Sequence, residues 1–239
     1  MSVRSPRGSA SAGGSGQRGD PGAAAKSPGQ APAGSKPKQK STTNSLLELA
    51  AIIAIAVLLA LGIQAFLVKP YKIPSGSMEP TLIPGQRVLV NRIGMSINGP
   101  HVGEIVVFHP PKEAKEQRCG PTHYEVTPGG AACDQSDSEP ANENFIKRVI
   151  AGPGDTLSIR EGHAYLNGKR ESDSYIKACG GVRECNFPTP IKIPPGHWFM
   201  MGDNRGESDD SRFWGPVPTG WIIGGAFVTY WPPDRIGII

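Results

Sequence analysis

The sequence predicts a mainly β domain set behind one membrane-spanning helix and a disordered N-terminal tail. Three observations predict it. Gly and Pro are both abundant, at 31 and 24 of 239 residues, a composition that suits a loop-rich β chain or a partly disordered one. After residue 86, short β-branched runs alternate with turn signals, as strands do. Before residue 68 lies one apolar run, Leu49–Leu67, whose only strongly polar member is Gln64. The length allows one such span and one domain of ordinary size.

Residues 1–44 contain no Leu, Ile, Phe, Tyr or Trp. A segment so poor in apolar surface cannot offset its own chain entropy, so a disordered tail is expected there. It carries Arg4, Arg7, Arg18, Lys26, Lys36, Lys38 and Lys40 against Asp20 alone. These charges are scattered and no aromatic residue is interleaved to stack on bases, which argues against a nucleic-acid arm. The net charge of the whole chain is only +4, so the placement of charge matters more than its total.

The apolar run falls within an anchor expected over residues 45–68. As a helix, Leu49–Leu67 would reach about 28 Å, close to a hydrocarbon core of ~30 Å. Basic residues before it outnumber Lys69 and Lys72 after it. The positive-inside rule then predicts a single-pass protein with a cytoplasmic N-terminus and residues 69–239 outside. A cleaved signal peptide fits less well. Its n-region would exceed forty residues, and Ile63-Gln64-Ala65 is a poor small-residue cleavage site.

Past the anchor, Gln86–Arg92 sets a short apolar run between polar ends, and Gly103–Phe108 ends at Pro110-Pro111; both read as buried strands. Residues 111–143 read as a long polar loop in need of pinning. Phe145–Ile150 is a strand closed by the turn Gly152-Pro153-Gly154-Asp155. Thr156–Arg160 and His163–Leu166 are strand-like pieces, with a hairpin signal at Asn167-Gly168. Ile222–Trp231 is too short to span a bilayer and reads as a closing strand. Cys119, Cys133, Cys179 and Cys185 all follow the anchor, which suits disulfides on an oxidising face. Three pairings are possible. Cys119–Cys133 would pin the long loop, and Cys179 and Cys185 are close enough to close a small one. Zinc with His123 is the alternative, but no Cys-x-x-Cys unit supports it.

The stretch Ile73-Pro74-Ser75-Gly76-Ser77-Met78-Glu79-Pro80-Thr81-Leu82 follows the anchor directly. Pro74 and Pro80 stiffen it, and an extended chain would present Ser75 and Ser77 on one side. A serine that cleaves peptides needs a base and donors for the oxyanion. The five histidines sit in no nucleophile-elbow context. A lysine serves instead if burial lowers its pKa by roughly 2–3 units from about 10.4. Lys147 lies among Phe145, Ile146, Val149 and Ile150 and shares a strand face with Phe145 and Val149. An edge-strand lysine that discourages aggregation reads equally well from this segment alone.

Two further motifs weigh the choice: Ile146-Lys147-Arg148-Val149-Ile150-Ala151-Gly152-Pro153-Gly154-Asp155 and Met201-Gly202-Asp203-Asn204-Arg205-Gly206-Glu207-Ser208-Asp209-Asp210-Ser211-Arg212-Phe213-Trp214-Gly215. In this order behind an anchor, the three closely resemble the type I signal peptidases, membrane-bound serine proteases with a Ser/Lys dyad. The resemblance covers roughly residues 70–232. It implies an antiparallel β-sheet catalytic domain with a small inserted cap, here reduced to about 156–200, in which a short cystine loop is also familiar. It implies cofactor-free, metal-free removal of signal peptides from exported precursors, cutting after small residues at minus-one and minus-three.

By the same resemblance Ser77 is the nucleophile and Lys147 the general base. Ser75 supports the oxyanion, Ser208 bonds and orients the lysine, and Gly202 leaves room beside it. Arg148 with Asp203, and Asp210 with Arg212, hold the loops. Tyr71, Ile73, Pro74, Leu82, Val106 and Ile146 wall the substrate pockets, and Met78 shields the dyad. Signal peptides, the bilayer and a nearby secretion translocon are the implied partners, and the plasma membrane is the implied location. Glu104, and the pair Gly206-Glu207, depart from the common pattern beside these positions. Self-cleaving repressors share the Ser-Lys chemistry but carry a DNA-binding N-terminal domain where this chain has an anchor. A further expectation places the apolar surface near Phe213-Trp214 or Trp231 in the membrane interface.

Overall fold

The computed structural model describes residues 42–122, 124–135, 137–180 and 185–239. The tail expected over residues 1–44 lies outside these as far as residue 41, and so does His123. The first element, α1 (Thr42–Phe66), has no proline to interrupt it. Its large side chains are exposed on every face, and an all-round apolar helix has no polar side to turn to water. Among the described residues it is the one helix long and apolar enough to cross a membrane.

The chain then runs into β1 (Val68–Lys72), β2 (Arg87–Asn91), α2 (Arg92–Asn98) and β3 (Ile105–Phe108). A small ribbon follows, β4 (Arg118–Cys119) with β5 (Tyr124–Glu125), and then β6 (Phe145–Ala151). Next come β7 (Thr156–Arg160), β8 (His163–Leu166), β9 (Lys169–Arg170), β10 (Phe187–Lys192) and β11 (His197–Met201). The last elements are α3 (Ser211–Trp214), β12 (Val217–Pro218), β13 (Ile222–Trp231) and β14 (Gly237–Ile238). Helix α2 is one the sequence pattern does not reveal. Asn91, read as the end of a strand, caps it by accepting from Ile93 and Gly94 N–H at 3.1 Å each.

The main sheet is antiparallel, eight-stranded, and ordered β1-β2-β13-β3-β6-β11-β12 with β14 on β13. Strand β13 therefore lies in the middle of the sheet, between β2 and β3. Strand alternation divides the core. On β3, Ile105 and Val107 join Ile73, Met78, Leu82 and Ile146, whereas Val106 and Phe108 join Val149, Phe199 and Trp214. The fold is mainly antiparallel β, as the sequence predicts.

A second sheet, ordered β10-β7-β8-β9, is inserted between β6 and β11. Asn167 and Gly168 make the β8–β9 turn, both at positive φ, as a type I′ hairpin requires. His197 already belongs to the main sheet through β11, so the inserted sheet ends before the boundary at 200 that the sequence suggests. Cys119–Cys133 and Cys179–Cys185 are disulfide-bonded.

Candidate active site

Ser77 lies in the loop between β1 and β2. The neck of this loop is closed by Ile73 N–H to the Gln86 carbonyl at 2.8 Å and Gly85 N–H to the Ile73 carbonyl at 2.9 Å. Ser75 keeps an extended backbone, with φ −138 and ψ 166. The extended course expected through Ser77 does not continue. Gly76–Met78 instead closes into a 3-10 turn, with Glu79 N–H donating to the Gly76 carbonyl at 3.1 Å. The cause is Met78, fully buried against Ile73, Leu82 and Val88; burying such a side chain stabilises by about 1.5–3 kcal/mol and draws the chain inward. The two hydroxyl oxygens still stand 3.4 Å apart.

Strand β6 carries Lys147 opposite Val106 of β3, so the lysine shares a face with Val106, Phe145 and Val149. Its Nζ is 5.7 Å from the centre of the Phe145 ring and 2.7 Å from Ser77 Oγ. Only 4% of Lys147 is exposed. Burial lowers its pKa from 10.5 to about 8; Asp210 and Asp209 oppose the shift and Arg212 adds to it. At that value roughly one lysine in ten is neutral at pH 7. A neutral amine at this distance can take the serine proton, and the resulting ammonium can return one. The described histidines have their partners elsewhere: Glu104 for His101, the Glu143 carbonyl for His109, Asp173 for His163 and the Pro195 carbonyl for His197.

The loop after β11 closes over this pair. Burial alone would raise the Asp210 carboxyl, but the Arg212 guanidinium holds it below its ordinary pKa. Arg212 donates to both Asp210 oxygens, at 2.7 and 2.9 Å, and to the Ser208 carbonyl at 3.0 Å. Asp210 in turn accepts from Gly202 N–H at 3.1 Å. A Cβ on Gly202 would collide with the Ser77 carbonyl and Ser208 Oγ. The space this glycine leaves is thus taken by the backbone of the nucleophile candidate as much as by the lysine's surroundings. The hydrogen bond expected from Ser208 to Lys147 is not formed. Ser208 Oγ is buried without a partner, because Nζ is directed at Ser77.

Arg148 donates to both oxygens of Asp203, at 2.9 and 2.7 Å. Asp203 also accepts from the Thr81 hydroxyl at 2.5 Å, so one carboxylate joins β6, the Ser77 loop and the Gly202 loop. Sequence reasoning assigned no role to Thr81, Asn204, Arg205 or Tyr175. Asn204 donates its N–H to the Ser77 carbonyl at 3.0 Å and its side-chain amide to the Gly76 carbonyl at 3.1 Å. Arg205 is buried, donating to the carbonyls of Gly202 and Gly162. The Tyr175 ring lies 4.0 Å from the Arg148 guanidinium. Asn204 and Arg205 could have been found, since they sit inside the third motif; Tyr175 has no local signal.

Beside the serine loop is a cavity of about 180 Å³ lined by Tyr71, Ile73, Pro74, Val107, Phe145 and Ile146, with Lys72 and Asn144. Four of the expected wall residues, Tyr71, Ile73, Pro74 and Ile146, are there. Val106 is not: the pleat turns it to the Lys147 face, and Val107 takes the place. Leu82 and Met78 are buried beneath the cavity, packed with Ile73 and Ile146. The membrane-facing expectation is also corrected for Phe213 and Trp214. Helix α3 turns both into the core, with Trp214 fully buried, whereas Trp231 is half exposed.

Known proteins share this sequence at length. It is 35% identical to a probable signal peptidase I-2 of Synechocystis sp. over 86% of this chain and 82% of that protein. It is 37% identical to a signal peptidase I of Leptolyngbya laminosa, over 86% and 88% of the two chains. To a signal peptidase I of Bacillus licheniformis it is 34% identical, over 73% and 83%. The family model for signal peptidases, peptidase S26, matches residues 46–231, which takes in most of α1, the loop that carries Ser77 and the strand that carries Lys147. The chain belongs to that family of peptidases.

Proposed function

We propose that this chain removes signal peptides from exported precursors, with Ser77 as nucleophile and Lys147 as its general base. The observation that carries the reading is the 2.7 Å separation of Nζ from Oγ on a lysine whose burial brings its pKa to about 8. The neutral amine takes the Ser77 proton as Oγ attacks the carbonyl carbon of the minus-one residue. Ser75 and the Ser77 N–H hold the oxyanion. As the intermediate collapses, the peptide C–N bond breaks and the lysine ammonium gives its proton to the leaving amine. Lys147 then deprotonates a water that attacks the ester, and the proton returns to Oγ.

The cavity beside the serine loop, with Ile73, Val107 and Ile146 among its walls, supports the specificity. An extended segment lying beside Ile73–Ser77 would send alternate side chains into it, which suits small residues at minus-one and minus-three. Helix α1 supports a single-pass anchor, and the excess of basic residues before it supports a catalytic domain outside the cytoplasm, where precursors leaving the translocon would be met.

The test is cleavage of a synthetic signal peptide with Ala at minus-one and minus-three by the purified full chain in detergent. Wild type cuts after the minus-one Ala, and Ser77→Ala and Lys147→Ala do not. Cleavage by either variant at the wild-type rate would remove the dyad assignment.

A further inference from the structure

A second cavity lies at the end of α1, outside the catalytic machinery. The chain passes from Leu67 straight into β1, where Val68 pairs with Asn91. The Leu67 carbonyl accepts from Arg92 N–H at 3.1 Å. Connectivity and pairing thus put Arg92, the first residue of α2, beside the point where the apolar helix ends. The cavity there has a volume of about 440 Å³ and is lined by Arg92, Ile93, His109, Trp221, Ile222 and Ile223, with Gly220.

Its lining has two halves. Arg92 and His109 supply polar nitrogens, and among the described residues no acidic side chain lines the cavity. His109 is held twice: its backbone N–H donates to the Trp221 carbonyl at 2.9 Å, and its Nδ1 donates to the Glu143 carbonyl at 3.1 Å. That second bond commits the Nδ1 proton, so Nε2 is left as an acceptor for a ligand hydroxyl. The other half is apolar, and it continues outward along α2, where Ile97 is 74% exposed. A guanidinium matches a phosphate by paired N–H bonds, and a half-buried tryptophan beside an apolar wall is at home at headgroup depth. A free anion would use the first half and leave the second to water.

The cavity also borders the substrate groove. The charge of Arg92 acts on Tyr71, a groove wall residue. Glu143, which anchors the His109 ring, directly precedes the groove residues Asn144 and Phe145.

We propose that this cavity seats the headgroup of an anionic bilayer lipid, with Arg92 on the phosphate, His109 Nε2 accepting from a headgroup hydroxyl, and Ile93, Trp221 and Ile222 along the first acyl methylenes. The assignment rests on the reading of α1 as bilayer-spanning. It makes a lipid a neighbour of the peptide being cut.

The experiment measures binding of a fluorescent phosphatidylglycerol to the full chain in a neutral detergent. Competitors are unlabelled phosphatidylglycerol, phosphatidylcholine and inorganic phosphate. Binding is expected to saturate and to be displaced by unlabelled phosphatidylglycerol alone. Arg92→Gln should weaken it about fivefold, the factor that one basic side chain near an anionic surface is worth, and Arg92→Lys should recover most of that. His109→Gln gives a second, independent loss, and an unchanged thermal melt confirms that each variant is folded. Equal displacement by phosphatidylcholine, or unaltered binding by folded Arg92→Gln, overturns the proposal. Equal displacement by inorganic phosphate assigns the site to a free anion and overturns the lipid. Signal-peptide cleavage by the same wild-type preparation is scored separately, so failure of the lipid site and failure of the proposed activity are told apart.

Discussion

Lys147 Nζ and Ser77 Oγ stand 2.7 Å apart although 70 residues separate them in sequence. The lysine is brought there by β6 and the serine by the 3-10 turn after β1. Their encounter takes place among buried groups, and this sets the pH range in which the pair can work.

Because the Lys147 pKa is lowered to about 8, the neutral base is lost as pH falls through that value. The acid limb of kcat/KM for signal-peptide cleavage is therefore expected with a midpoint near pH 8 in the free enzyme. A pH–rate profile from 6 to 10 checks this. A limb centred near 6.5 would point to a histidine instead.

The same shift makes a stability prediction. The folded-state pKa of about 8 lies below the unfolded value of about 10.4, so between them the unfolded chain binds more protons and stability rises with pH. Below pH 8 the buried ammonium is a standing cost. Lys147→Met should abolish cleavage yet raise the unfolding free energy at pH 7 by about 2 kcal/mol. Its advantage over wild type should shrink as pH climbs from 8 towards 10.5. Denaturant melts at three pH values measure this, and a destabilised variant would contradict it.

Asp209 is raised to about 7, first by burial and then by Asp210, and its negative charge acts on Lys147 to keep that pKa up. Asp209→Asn removes this charge, so the acid limb of the wild-type profile should move to lower pH. The direction is the test. No shift would mean that solvent screens the carboxylate from the lysine, and a shift to higher pH would contradict the coupling.

At Gly202 the added methyl of Gly202→Ala meets the Ser77 carbonyl and Ser208 Oγ. One of these is backbone, so the serine loop must move. Overpacking of this kind costs about 1–3 kcal/mol, and a misplaced nucleophile costs catalysis as well. Activity should fall by about 100-fold or more while the melt shows a folded protein with a modest loss of stability. Wild-type turnover in the variant would show that the contact is relieved without moving Ser77.

Trp231 is half exposed on the sheet, and an amphipathic ring in that position is expected to enter the membrane interface. Tryptophan fluorescence of the full chain in vesicles with a lipid-borne quencher should be reduced, and Trp231→Phe should remove part of the quenching, with Trp221 at the lipid cavity carrying another part. Trp214, fully buried, is not expected to contribute.

The local order of the chain is written in its sequence. Composition and periodicity declare the apolar helix, the strands around Lys147 and the Asn167-Gly168 hairpin, because each depends on neighbours within a few residues. The three motifs, read together, declare the family. What they leave open is which side chains meet. The side that Val106 and Val107 each face follows from the pairing of β3 with β6. The turn at Ser77 follows from the burial of Met78, and the inward course of Phe213 and Trp214 from the core that α3 joins. The ties from Thr81 to Asp203, from Asn204 to Gly76 and from Arg205 to Gly162 cross more than forty residues each. Contacts of that kind are decided by packing of the whole domain, where a buried side chain gains more than the local preference it overrides. The sequence by itself determined a peptidase of the signal peptidase family behind an apolar helix. Only the tertiary structure decided that burial would bring one lysine, stripped of water, to one serine.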